Sequence, residues 1–224
     1  LPYRDAERLV LVQREQTMAG AGRPVPVTFF EPGALETWTR GMPSLEEAAL
    51  YSLEVAALST AGGSELLDSA VVSGSFFSTL SGPVAVGRPF GTADETTASV
   101  VVSDRLARRL FTDPASALGQ PLTLTSQSYV VVGVADAAFQ FPSRDTDVWM
   151  PAAFARLATP RCCGFRFVGR LALEASLNSA ALEAEGLTRS QSASNPDAPA
   201  DVRVTVVGLH DQSVAAVRPA MNRR

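Results

Sequence analysis

Apolar positions in this chain alternate with polar ones in short runs more often than they recur at helical spacing. Leu9 to Arg14 (LVLVQR) predicts a strand, and Pro24 and Pro26 a loop after it. Phe29 to Arg40 predicts a helix with Pro32 in its first turn, stopped by Gly41 and Pro43. Ser44, with Glu47 three residues on, resembles a helix-capping box, so helix or turn is expected to about Ala48. The apolar runs Leu53–Leu58 and Leu66–Val72 around Gly62-Gly63 then predict a hairpin. Phe76, Phe77 and Leu80 predict a short helix broken at Gly82-Pro83.

The middle third is denser in turns. Gly87 to Gly91 predicts a turn and Ala98 to Val102 a strand. Ser103 caps a helix with Leu106, Ala107, Leu110 and Phe111 inward and Arg105, Arg108 and Arg109 outward, ending at Asp113-Pro114. Leu122–Thr125 and Tyr129–Val134 predict a hairpin turning at Ser126-Gln127. Phe139–Pro142 and Asp147–Pro151 predict two extended pieces. In the last third, Phe165–Leu173 predicts a strand. Ser176 opens a helix with Leu177, Ala180, Ala181, Ala184 and Leu187 on one stripe. Ser190–Pro199 predicts a polar loop, Val202–Val206 a strand, and Asp211–Arg224 a further helix. The order β-α-β-β-α, a β-rich insert, then β-α-β predicts an α+β fold. Its outer pieces pair into one ferredoxin-like sandwich. The texture changes at Gly82-Pro83 and after Cys163 divide the chain into 1–82, 83–163 and 164–224, with the first and last parts in one lobe.

Composition narrows the chemistry. The 224 residues are 46% hydrophobic with a net charge of −4, which argues against disorder and against a nucleic-acid footprint. All 19 basic residues are arginines, so lysine-dependent nucleotide loops and Schiff bases are excluded. No apolar run reaches the eighteen or so residues of a membrane span. The opening Leu-Pro-Tyr-Arg-Asp lacks an initiator methionine and a leader pattern, and reads as a fragment of something longer.

Few residues are left for catalysis. Cys162-Cys163 are chain neighbours, about 3.8 Å apart at Cα, below the usual disulfide range of about 4.4–6.8 Å. Two loop thiols after Pro160 is the preferred reading. The alternative is a redox or mercury-like vicinal site, its thiol pKa lowered by Arg161 and Arg166. His210-Asp211 has no nucleophile elbow to serve, so a surface histidine is expected. Asp94-Glu95 and Asp145 with Asp147 lack calcium-loop spacing and read as solvated loop charge. Gly20-Ala21-Gly22 is no dinucleotide fingerprint. The arginines of 103–111 read as a wet helix face, with an anion or partner contact as the minority option. No catalytic, cofactor-binding or metal-binding residue is assigned, no cofactor is expected, and the residues point to a non-enzymatic binding module.

A set of ordered segments resembles the MacB-like periplasmic core domain of FtsX/MacB-type ABC transporter permeases, closest to their duplicated orphan-permease branch. The matching segments are Leu1-Pro2-Tyr3 through Val10, Val72–Leu80 (VSGSFFSTL), Gly87-Arg88-Pro89-Phe90, Val100–Ser103 with Arg109–Phe111 and Asp113-Pro114, Leu118–Leu124, Tyr129–Val134, Phe139–Pro142 with Asp147–Pro151, Val168–Leu171, and Leu209–Pro219. Departures fall at turns. Ser81-Gly82 replaces the usual Gly-Val, Ala172-Leu173-Glu174 a Lys-Pro-Gly turn, and Ser126-Gln127-Ser128 an Asn-Gly turn.

The resemblance implies an extracytoplasmic (periplasmic) domain set between two membrane helices of a permease. A membrane-proximal porter-like subdomain would be built from both chain ends, 1–82 and 164–224, with a distal β-rich, Sabre-like subdomain, 83–163, inserted between them. A separate cytoplasmic ABC ATPase would hydrolyse ATP. This piece would transmit the conformational change and contact a second permease copy or half, a periplasmic adaptor, or cargo. The alternative is a stand-alone extracytoplasmic ligand-binding or adaptor module. Both chain ends are expected at one membrane-facing end, and Phe76 and Phe77 are expected to be buried.

Overall fold

The computed structural model describes residues 3–17, 24–26, 30–31, 33–60, 62–152, 164–194 and 202–210. The chain divides into two compact units. Unit 1 comprises Leu1, Tyr3–Leu50 and Cys163–Arg224; unit 2 comprises Pro2 and Tyr51–Cys162.

Unit 1 holds β1 (Leu9–Thr17), β2 (Pro24–Pro26), α1 (Ala34–Gly41), the start of β3 (Leu45–Thr60), β10 (Arg166–Leu171), α4 (Leu177–Ser194) and β11 (Val202–Gly208). Its main strands lie in the order β11-β1-β10-β3. β1 is antiparallel to both neighbours, with Val10 opposite Gly208 on one side and Gly169 on the other. Strand, α1, strand, then strand, α4, strand in this order is the split β-α-β arrangement of a ferredoxin-like sandwich. The core stacks Trp38 of α1 edge-on to Phe30, at 5.1 Å between ring centroids, with Phe167 beside both. Phe30 and Phe165 exchange backbone hydrogen bonds, which brings the segment before α1 onto the start of β10.

Two local expectations change here. β3 begins at Leu45, with no helix up to Ala48. The Ser44 hydroxyl does not cap a helix. Together with the Ser44 N–H, it donates to the carboxylate of Glu183 on α4. The capping-box pattern is local, but its serine is claimed by a partner 139 positions away. The polar loop expected from Ser190 is helical as far as Ser194, since α4 continues with Ser194 bonding back to Ser190 O. Its buried stripe is Ala180, Ala184 and Thr188, while Leu177 stays 40% exposed.

Unit 2 holds the rest of β3, β4 (Gly63–Val72), α2 (Phe76–Leu80), β5 (Val84–Gly87), β6 (Ser99–Ser103), α3 (Asp104–Leu110), β7 (Pro121–Leu124), β8 (Gln127–Ala135) and β9 (Val148–Pro151). β3 and β4 form the expected hairpin, in register from Tyr51↔Val72 to Thr60↔Gly63. β4 then pairs with β9 in parallel, and β6 lies between β9 and β8. Ser103 caps α3, its hydroxyl accepting from the Leu106 N–H at 3.0 Å. β7 and β8 form the second expected hairpin. Its two-residue turn is Thr125-Ser126, one position earlier than expected, with φ of 47° and 69°. Left-handed backbone is costly for a β-branched residue. Thr125 holds it by docking on β3: its N–H donates to Ala57 O and its hydroxyl accepts from the Ala57 N–H.

The expected lobe boundary at residue 82 lies inside unit 2, and the division falls instead between Leu50 and Tyr51, within β3. The reason is packing. Tyr51, Phe76 and Phe77 share one cluster of rings with Phe90, Phe139, Phe141 and Trp149, all in unit 2.

Candidate functional site

Several of the segments that carry the family pattern meet in unit 2. Phe76 and Phe77 are 0% and 1% exposed. Phe76 stacks with Phe141 at 5.8 Å, and Phe77 meets Phe90 at 5.7 Å and Phe139 at 5.3 Å. Trp149 closes the cluster and donates its indole N–H to Phe141 O at 3.0 Å, so its one polar atom is satisfied inside the core. α2 ends in a Schellman turn: Gly82 N–H reaches Phe77 O, and Ser81 N–H reaches Ser78 O. Ser81 takes the left-handed position at φ 50°, where glycine is ordinarily favoured. At Gly82 a Cβ would meet the Phe139 ring at 2.7 Å, so the departure Ser81-Gly82 leaves the helix stop intact and lets the aromatic segment close over it.

A second cluster surrounds Asp94. Expected as solvated loop charge, it is 4% exposed and accepts from both terminal nitrogens of Arg88, at 2.7 and 2.8 Å. The Gly91 N–H and the Ser99 hydroxyl also donate to it. The Arg88 hydrogen bonds, more than any other contact, hold the Asp94 carboxyl down at about 2. Glu95 is also engaged, accepting from the Gly74 N–H at 2.9 Å. Gly74 sits so close to Gly91 and Thr92 that a Cβ would lie 2.8 Å from their backbone. The GRPF turn and the VSGSFF segment are thus locked by one acidic pair. An arginine six positions before an aspartate, with Pro89 and Gly91 between them, was the available sequence signal for this latch.

The remaining candidates disperse. Arg105 pairs with Asp147 at 2.8 Å, Arg108 with Asp104, and Arg109 with Glu65, so the outer face of α3 is a set of ion pairs. Asp145 is 61% exposed in its side chain, 3.9 Å from Arg105. His210 is exposed. Cys162, Cys163, Gly20–Gly22 and Asp211 lie outside the described residues, as does the helix expected over 211–224. Among the described residues no group of three or more His, Cys, Asp or Glu is placed to hold a metal, and no helix is long and apolar enough to cross a membrane.

In unit 1 the arginines gather at the entry to β1. Arg170 is 5% exposed and donates to Arg4 O at 2.9 Å. Arg8 donates from Nε to Leu171 O at 2.8 Å and pairs with Glu46. Burial first, and the neighbouring Arg8 charge second, push the Arg170 guanidinium below its ordinary value. The two side chains tie the segment before β1 to the end of β10.

The sequence matches the model of the MacB-like periplasmic core domain over residues 2–186. The chain belongs to that family. Among solved structures, this MacB-like domain is similar to a domain of a putative permease protein from Porphyromonas gingivalis, with TM-score 0.68 and 14% identity over 93% of this chain and 92% of that one. It is also similar to the periplasmic region of MacB from Actinobacillus actinomycetemcomitans, with TM-score 0.66 and 11% identity over 98% and 95%. A third is the extracellular domain of the noncanonic ABC-type transporter YknZ from Gram-positive bacteria, with TM-score 0.65 and 12% identity over 88% and 99%. At such identities the likeness is one of α+β fold. Among curated proteins no sequence match is found.

Proposed function

We propose that this MacB-like domain is the extracytoplasmic, non-catalytic part of an ABC transporter permease, and that it relays ATP-driven movement of the membrane helices to partners or cargo outside the membrane. A cytoplasmic ABC ATPase and a second permease copy or half complete the machine. Unit 1 takes the membrane-proximal, porter-like role and unit 2 the distal, inserted one. The observation that carries the reading is the antiparallel pairing of β1 with β11, which sets the entry to β1 at Val10 beside the exit from β11 at Gly208. A domain hung between two membrane helices needs its entry and exit side by side. The latch of Arg8 and Arg170 stiffens that entry, so a pull on the chain before β1 moves the sheet rather than peeling off its first strand.

The test uses the parent permease in membranes with its ATPase. A spin label at an exposed position such as Ser126→Cys, with Cys162 and Cys163 replaced by serine, reports the distance between two copies. The expected result is a distance change on ATP binding that reverses after hydrolysis and is absent with a nucleotide-binding-dead ATPase. Failure of the parent to associate with any ATPase, or distances indifferent to nucleotide, would overturn the reading in favour of a stand-alone adaptor module.

A further inference from the structure

One face of the β3–β4 hairpin is left partly bare. Cross-strand partners share a face of a sheet, so Tyr51 with Val72, Leu53 with Ala70, Val55 with Asp68 and Ala57 with Leu66 line up along it. The inner end lies under the rings of Phe76 and Phe141, and Tyr51, Val72 and Ala70 are at most 4% exposed. Beyond it Leu53, Val55 and Leu66 are 43%, 60% and 73% exposed. A groove of about 660 Å³ opens on this face, lined by Leu53, Val55, Asp68, Ser143 and Asp145 among others. Asp68 makes no salt bridge among the described residues, and Asp145 pairs with Arg105 at 3.9 Å; the single Arg105 charge, held by Asp147 at 2.8 Å, also acts on Asp68, so three carboxylates share one cation. Arg144 is exposed in the same loop but does not line the groove.

We infer that this strip is a docking surface for a protein segment that is both apolar and cationic. Its aliphatic side chains would cover Leu53, Val55 and Leu66, and its lysines or arginines would face Asp68 and Asp145. Charge complementarity selects this occupant over two others. In a two-fold contact with a second copy the same patch meets itself, setting Asp68 and Asp145 against their own kind. An anionic lipid surface attracts basic segments, and the carboxylates here repel it. The inference rests on the reading of the chain as a domain that contacts other proteins, and names the surface that does so.

The experiment titrates the 224-residue chain with three twelve-residue peptides, alternating leucine-lysine, leucine-glutamate and serine-lysine, followed by amide chemical shifts. The leucine-lysine peptide is expected to bind, with shifts confined to β3–β4 and residues 143–147. Covering one exposed leucine is worth enough that Leu66→Ser should weaken binding about tenfold. Asp68→Asn should weaken it less and flatten its salt dependence. Both positions are exposed, so both variants should keep the parent melting temperature. The inference is overturned if the leucine-lysine peptide does not bind, if serine-lysine or leucine-glutamate binds equally well, if the shifts fall elsewhere, or if Leu66→Ser has no effect. It is also overturned if Leu66→Ser instead abolishes self-association of the chain, or its flotation with phosphatidylglycerol vesicles. None of these outcomes touches ATP-driven movement of the parent, so the two readings fail separately.

Discussion

The inner and outer halves of one face of the β3–β4 hairpin have the same alternation and are both largely apolar, yet they have opposite fates. Tyr51, Ala70 and Val72 are sealed, while Leu53, Val55 and Leu66 face solvent. The difference lies above the strands: α2 and the aromatic segment around Phe139 and Phe141 cover the first half only. Periodicity says which face of a strand is apolar. How far that face is covered depends on residues distant in sequence. The sealed half holds the fold of unit 2; the open half is free to recognise something.

Truncation should separate the halves most sharply. Phe76→Ala removes a fully buried ring and should cost about 3–5 kcal/mol in denaturant unfolding. Leu66→Ala should stay within about 0.5 kcal/mol. Comparable losses from the two would erase the distinction. Next comes the Asp94 latch, which secures the sealed half from its edge. Asp94→Asn loses charge-assisted bonds from Arg88 and should cost about 2 kcal/mol. The folded Asp94 carboxyl titrates at about 2, below its unfolded value of about 3.9. Its stabilisation is therefore complete above about pH 4 and drains away as pH falls toward 2. The parent should lose more stability than Asp94→Asn across that window in acid melts. Smallest is Ser81→Gly, which relieves a left-handed serine at the stop of α2 and should raise stability by about 0.5–1 kcal/mol. A decrease would mean that the serine side chain contributes contacts that outweigh the backbone strain.

Much of the fold was legible because its signals are local. The Gly62-Gly63 and β7–β8 hairpins, the Ser103 cap and the double-phenylalanine helix each announce themselves within a few residues. What was not legible depends on distant partners. Ser44 looks like a cap until Glu183 claims it. The division between the units runs through the middle of β3, where nothing in the sequence breaks, whereas Gly82-Pro83 looks like a break and is an internal turn of unit 2. Asp94 looks like loop charge because its one sequence signal, Arg88 six positions before it, becomes a pair only when the chain folds Arg88 back onto it. The family pattern was readable as an ordered set of segments. That several of those segments meet in one aromatic cluster became visible only in three dimensions.

Sidedness tests the account most directly. In intact cells expressing the parent permease, with Cys162 and Cys163 replaced by serine, Leu66→Cys and Phe76→Cys are treated with a membrane-impermeant maleimide able to reach the extracytoplasmic side. The account predicts rapid labelling of Leu66→Cys without lysing the cells, and labelling of Phe76→Cys only after denaturation. Labelling of Leu66→Cys only once the cytoplasmic side is opened would contradict it.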